Sequence, residues 1–363
     1  MDDAEENSKY AEDTFEDEEE KEPGSHSIGS WSEIDFADVS LGKCIGGGGV
    51  GMVYEGTFEG KRVALKTLFD PRVDQNLRKE FGDELLVMSR LSHPNVVHFV
   101  GACTVPPKLF FVMELCDASL FELLHVQRRR LGTREALDVA VGVAKAMAYL
   151  HSRSPPIIHR DLKSHNVLIA GEDIRGCKRS NDDAGGRSSN GRRGSCDDVD
   201  NCKTEESDGG DGGRLGAGYV RLCDFGLARG AEPGAGTPQY MAPEALRGRP
   251  SGPEADVYAF GVLLWEMFAQ EVPYDGLEPP EIRDLVVAGK RPRRDRFHIP
   301  AAREIAEDCW AEEPRARPRF CDLVPRLMTA AAAVAEDEGP AAVSVDTVAR
   351  EMGGDCLDAL LLG

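Results

Sequence analysis

A two-lobed α+β fold, strands first and helices later, is what this 363-residue sequence predicts. Two features carry that expectation. Alternating, glycine-punctuated stretches crowd the segment from Val39 to about residue 115, and apolar periodicities of three to four residues dominate the remainder of the chain. Segregated strands and helices imply two lobes, and a ligand lies where such lobes meet.

The strand-rich part opens with VSLGKCIGGGGVGMVYEGTFEG and continues as KRVALKTL, with glycines where the chain must turn. A helix is predicted over NLRKEFGDELLVMSRL, because Leu77, Phe81, Leu85 and Met88 recur on one face. KLFFVMEL reads as a further strand. Helices come next at REALDVAVGVAKAMAYLHS, at DVYAFGVLLWEMFAQ, and in a series from PPEIRDLVVAG to FCDLVPRLMTAAAAVA. No apolar run approaches about eighteen residues, so no membrane span is expected. The beginning, MDDAEENSKY, has neither a basic flank nor an apolar stretch, which points away from a secretory signal and towards the cytoplasm, with the nucleus as the alternative.

Ten cysteines are scattered without a C-x-x-C pair, so reduced, mostly buried thiols are expected rather than a zinc knuckle or a disulfide framework. The net charge of −21 is concentrated in three places: residues 1–22 carry −10, residues 329–363 carry −6 and residues 171–217 carry −3, leaving about −2 for the rest. The body is therefore close to neutral. Residues 1–30 read as an acidic disordered tail, 171–218, with twelve glycines, as a flexible low-complexity insertion, and 329–363 as an acidic C-terminal tail. RPRRDR, from Arg291 to Arg296, is a compact basic run that sits among helices of the second lobe, which argues against a nucleic-acid-binding module.

Four motifs carry chemistry. IGGGGVGMVY contains Gly46, Gly48, Gly51 and Val53 in a G-x-G-x-x-G-x-V pattern that continues as a strand, so its backbone N–H groups can face phosphate oxygens. Lys66 ends the apolar run of VALK on the next strand and needs a counter-charge; Glu84 is the natural partner, with Asp83 and Glu80 competing on spacing alone. In HRDLKSHN, Asp161 can accept or orient the proton of an attacking hydroxyl, Lys163 can neutralise the transferred group, and Asn166 can ligate a hard cation through its amide oxygen. VRLCDFGLAR adds the Asp224 carboxylate, suited to bridging Mg²⁺ and phosphate.

In this order, and with GTPQYMAPE after them, the motifs resemble the eukaryotic protein kinases from about Val39 to Met328. That resemblance implies a bilobal fold with an N-lobe over 39–113, a hinge over 114–117 and a C-lobe over 118–328. It implies ATP and Mg²⁺ as cofactors, with Lys66 on the α- and β-phosphates and paired with Glu84, Asp161 as catalytic base, Lys163 beside it, and Asn166 and Asp224 as metal ligands. Ile45, Gly46, Gly48, Gly51, Val53 and Ala64 would enclose the nucleotide, with Met113 as gatekeeper and the backbone of Glu114 and Cys116 facing adenine. Met88, Phe99, His159 and Phe225 look like the family's hydrophobic spine, anchored by Asp256, and Glu244 would pair with Arg317. Lys163 and GTPQYMAPE look like serine/threonine specificity, with Thr237 joining Asp161 and Lys163 or serving as a phosphorylation site. The tyrosine-kinase-like group, and Raf-like kinases including plant and algal mitogen-activated kinase kinase kinase types, offer the nearest comparison. A protein substrate, such as a downstream kinase, is implied. The alternatives are a pseudokinase scaffold and a dual-specificity enzyme.

Two departures from the family pattern stand out. Residues 225–236, FGLARGAEPGAG, hold no Ser, Thr or Tyr, so Glu232 is expected to take the place of a loop phosphate on Arg160. Asn166 and Asp224 are 58 residues apart, far more than in relatives, yet VLIA and YVRLCD can still pair as a hairpin with the insertion looped out. The insertion carries RRGS, Arg192 to Ser195, which resembles a basophilic phosphorylation site; it is either a regulatory insert or a retained intron.

Overall fold

The strands of the first lobe, predicted and unpredicted alike, form one sheet. The structure, a computed structural model, describes residues 31–48, 51–68, 75–105, 108–171, 215–228 and 234–337. The sheet comprises β1 (Ser32–Glu33), β2 (Val39–Gly48), β3 (Gly51–Phe58), β4 (Lys61–Leu68), β5 (Phe99–Cys103) and β6 (Leu109–Glu114), in the order β1-β5-β6-β4-β3-β2. The glycine motif closes the β2–β3 hairpin at Gly48 opposite Gly51, so it joins two strands as its sequence suggests. Alternation along β4 sends Val63 and Leu65 to an outer apolar cluster with Phe110 and Val112, while Leu68 lies in the main core. Lys66 shares the inward parity of Leu68. Helix α1 (Gln75–Met88) covers that inner face, with Phe81 stacked on Phe111 at a centroid distance of 4.3 Å. The side chain of Leu77, one of the four periodic positions, lies outside the described residues.

The fold includes residues ahead of Val39. β1 pairs in parallel with β5, Ser32 opposite Gly101, and Ile34 is buried. Gly101 is required there: a Cβ would run into the Ser32 carbonyl. A two-residue strand has no period to read, and the glycine interrupts the alternation of β5.

The second lobe is helical: α2 (Thr133–His151), α3 (Pro243–Leu246), α4 (Pro253–Ala269), α5 (Pro279–Val287), α6 (Pro300–Cys309) and α7 (Phe320–Asp337). Pro243, Pro253, Pro279 and Pro300 each open a helix, where a missing N–H removes no intrahelical bond. α4 is apolar all round and is the buried axis of the lobe, yet it carries Asp256 and Glu266, at 1% and 0% exposure. Helix α7 runs nine residues past Met328 and buries Ala330 and Ala331, so the segment from 329 begins as core rather than as tail. Small apolar side chains beside acidic ones hid that continuation.

A three-stranded sheet, β7 (Ala118–Ser119), β8 (Val167–Ile169) and β9 (Val220–Leu222), lines the lobe boundary. β8 and β9 pair antiparallel with Leu168 opposite Arg221, the hairpin expected on either side of the long insertion. Leu215 is buried, and the chain beyond it passes so close to α2 that a Cβ at Gly142 would sit 2.8 Å from the Ala217 carbonyl oxygen. The insertion is thus shorter at its end than 171–218. Residues 172–214, including RRGS, lie outside the described residues, as do the acidic segments 1–30 and 338–363.

Candidate active site

Lys66 reaches the cleft from β4 and donates to Glu84 Oε1 at 2.6 Å and to Asp224 Oδ1 at 3.1 Å. Of the three acids competing for Lys66, α1 therefore turns Glu84 inward. Burial alone would pull the Lys66 ammonium down, but the two carboxylates outweigh it and hold it above the ordinary lysine range. Burial pushes Glu84 up, against the pull of Lys66. Burial acts the same way on Asp224, yet Lys66 and the Gly226 amide hold that carboxyl below its usual range. An ionised carboxylate is the form that binds a cation.

The catalytic-loop candidates converge on one hydroxyl. Asp161 Oδ1 accepts from Thr237 Oγ1 at 2.6 Å and from the Thr237 amide at 3.1 Å. Lys163 Nζ donates to Asp161 Oδ2 at 2.6 Å and to Thr237 Oγ1 at 2.8 Å. Asn166 gives its Nδ2 to the Asp161 carbonyl at 2.9 Å, which turns the amide oxygen to the other side. The Cys223 amide donates to the Asn166 carbonyl at 3.0 Å, so Asn166 and Asp224 are held one residue apart across that bond. A groove lined by Asp161, Thr237, Met241, Ala242 and Ala245 runs away from this point.

The loop is held by α4. Asp256 accepts the amides of His159 and Arg160, both at 2.8 Å, and His151 Nε2 at 2.9 Å. These bonds keep Arg160 at φ 66°, a left-handed conformation unfavourable for an arginine. His159 Nε2 donates to the Cys223 carbonyl at 3.0 Å and its Nδ1 accepts the Asp161 amide, so the Nε2–H tautomer connects the two loops. Its ring lies 5.4 Å from that of Phe225, and Met88, Phe99 and Phe225 share the main core. Glu244 and Arg317 form a buried two-pronged pair at 2.6 and 2.9 Å.

The residues assigned to the nucleotide roof are less uniform. Ala64 is buried and pairs with Met113, and Val53 pairs with both Gly46 and Lys66, whereas Ile45 is 46% exposed. The Glu114 side chain is tied to Arg221 and its amide to the His98 carbonyl, so its own carbonyl is what is left for adenine. Burial, with Glu114 adding, pushes the Cys116 thiol up to about 12, and burial pushes Cys223 up as well, which makes both poor nucleophiles. Glu232 lies outside the described residues; Arg160 Nη1 donates to the Leu227 carbonyl at 3.1 Å.

One buried node was not read from the sequence. Glu266 accepts from Ser164 Oγ at 2.7 Å, Tyr240 OH at 2.7 Å and His125 Nε2 at 2.8 Å, joining the catalytic loop to the segment after Thr237. A glutamate inside the apolar run FGVLLWEMF was the available signal.

Lys66 thus meets Asp224, the Cys223 amide beside Asp224 is held by Asn166, and Asn166 is bonded to Asp161; residues 39–327 match the family described as protein tyrosine and serine/threonine kinase. The chain belongs to the protein kinase family. Its curated relatives include serine/threonine-protein kinase CTR1 of Arabidopsis thaliana, 36% identical over 81% of this chain and 32% of that protein. Serine/threonine-protein kinase STY17 of the same plant is 30% identical over 84% of this chain and 47% of its own length. Probable serine/threonine-protein kinase drkA of Dictyostelium discoideum is 32% identical over 81% and 40%. The kinase chain therefore spans about a third to a half of these relatives.

Proposed function

We propose that this kinase is an active serine/threonine enzyme that moves the ATP γ-phosphoryl group to protein hydroxyls. The single observation that carries this is the Asp161–Lys163–Thr237 triangle, a carboxylate and an ammonium closed around an alcohol oxygen. Asp161 orients the acceptor hydroxyl and takes up its proton, while Lys163 stays within reach of the same oxygen and offsets developing negative charge. Lys66, fixed by Glu84, holds the non-transferred phosphates.

Asn166 and Asp224 would hold Mg²⁺. The donor set fits: one amide oxygen and one carboxylate, the latter 45% exposed. Mg²⁺ keeps water and phosphate oxygens in most of its positions, so an open two-ligand site suits it. When bound, the ion neutralises phosphate charge; this chain's residues supply its orientation.

Serine/threonine choice is supported by Thr237 itself at the acceptor position and by the names of the relatives. Protein substrates, a downstream kinase among them, and a cytoplasmic location belong to the same proposal. No helix among the described residues is long and apolar enough to cross a membrane. Arg291, Arg293, Arg294 and Arg296 of the basic run are each paired with a carboxylate, on Glu312, Asp295, Glu307 and Glu271, which disfavours a nucleic-acid surface.

Purified chain incubated with labelled ATP, Mg²⁺ and myelin basic protein should transfer label, and Asp161→Asn should lower the rate by about two to four orders of magnitude. A wild-type rate equal to that of Asp161→Asn favours the scaffold alternative. Phosphotyrosine in the hydrolysed product favours dual specificity.

A further inference from the structure

Behind the hinge, one ion pair ties the strand leading to Asp224 to the strand leading to the adenine-facing backbone. Arg221 on β9 donates from Nε to both carboxylate oxygens of Glu114 at the end of β6, at 3.0 and 3.1 Å. Its Nη1 donates to the carbonyls of Gly218 and Val220 at 2.7 and 3.1 Å, which fixes the guanidinium to the second lobe. Glu114 is fixed from the other side. Its Oε2 accepts the His98 amide at 3.1 Å, and its own amide donates to the His98 carbonyl at 2.9 Å. Alternation on β6 sets Glu114 on the outer face with Phe110 and Val112, opposite to Met113. The pair therefore lies on the reverse of the hinge, away from the nucleotide side, in a recess it shares with Val63, His98 and Leu115.

A second tie runs beside it. The Leu222 amide donates to the Asn95 carbonyl at 2.8 Å and the Val97 amide to the Leu222 carbonyl at 2.9 Å. The end of β9 is thus clamped on two edges by first-lobe backbone and side chain. Three residues after Arg221 comes Asp224, and the Cys223 amide between them holds Asn166.

We propose that Arg221 is a positioning residue that acts through Glu114 to set the spacing between the hinge and the metal-binding pair Asn166–Asp224; this rests on the nucleotide-binding reading above. A nucleotide spans the distance from adenine backbone to metal ligands. Both ends are attached to this one ion pair, which is only 21% and 26% exposed; the Nε–H is shared by both carboxylate oxygens while Nη1 holds two backbone carbonyls, so the guanidinium is fixed in orientation as well as in charge. In this structure the tie is closed while Lys66, Glu84 and Asp224 are assembled, so it belongs to the organised state of the site.

The test uses the full chain with Arg221→Met, Glu114→Gln and the conservative Arg221→Lys. Displacement of a fluorescent ADP analogue by Mg–ATP should show weakening of about five- to tenfold in Arg221→Met and Glu114→Gln, as misplaced anchors reduce nucleotide affinity. KM for peptide should stay unchanged, amide exchange over residues 222–226 should accelerate, and Arg221→Lys, which keeps a cation against Glu114, should retain at least half of the affinity that Arg221→Met loses. A general loss of packing would move both KM values and leave Arg221→Lys as weak as Arg221→Met. Arg221→Met and Glu114→Gln binding nucleotide as tightly as the parent overturn the inference, as does faster turnover in either, which would make the tie a restraint on closure. A parent chain that binds no nucleotide overturns the proposed function and this inference together, whereas equal binding by a competent parent and its variants overturns this inference alone.

Discussion

Lys66 shows how a single charged side chain can be read from sequence, since a lysine ending an apolar strand run must find carboxylates or lose its charge. Lys66→Met should remove nearly all transfer while leaving Glu84 and Asp224 as neighbouring carboxylates without a cation between them. Stability should then fall more at pH 7 than at pH 4, because acid neutralises the repelling pair; urea melts at both values check this. His93 offers a different titration. Burial, helped by Lys145 and Arg153, lowers its pKa from 6.5 to about 4, and Nδ1 accepts the Asn95 amide at 3.1 Å. Since the folded pKa lies below the unfolded one, the unfolded chain binds more protons between those values, and stability drops as pH falls from about 6.5 to about 4. In His93→Phe, which keeps a ring against Tyr149, thermal melts across that window should show a shallower pH dependence than the parent. Arg317 has a fully buried side chain bonded to Glu244 and to the carbonyls of Ala311 and Glu254. Arg317→Met should destabilise by about 3–5 kcal/mol, because a buried carboxylate is left alone. Guanidinium titration measures it.

At the scale of elements, β2, β3, β4, β6, α1 and the large helices were legible because each is long enough to show its period. β1 and β5 were not, being short or broken by Gly101, and the end of α7 was masked by its acidic neighbours. The catalytic motifs were legible for another reason: phosphoryl transfer needs particular charges in a particular order, and order survives in a linear string. Side-chain ties between distant segments leave no such trace. Arg221 stands in the VRLCDFGLAR stretch and Glu114 in the hinge segment, but the two are 107 residues apart and neither segment names the other; Glu266 is one more position of an apolar helix. Gly101→Val should detach β1 through the clash with the Ser32 carbonyl, and proteolysis should then cut ahead of Val39 before the rest of the chain.

For the whole molecule, the 58-residue separation between Asn166 and Asp224 perturbs the site little, since β8 and β9 pair in register across it. Replacing residues 172–214 by four Gly/Ser residues, while keeping Leu215 to Gly218, should leave activity intact. It should also raise stability by about 2 kcal/mol, the loop-closure entropy released by shortening. A loss of activity without a loss of folding would give the segment a direct role in turnover.

Asp256 and Glu266 stand ten positions apart on α4, and between them they hold His159, Arg160, Ser164 and Tyr240. The reacting groups are therefore bolted to the buried axis of the lobe. On heating, enzyme inactivation and loss of the second lobe's helicity should coincide at one temperature, with no window in which a folded but locally scrambled catalyst accumulates.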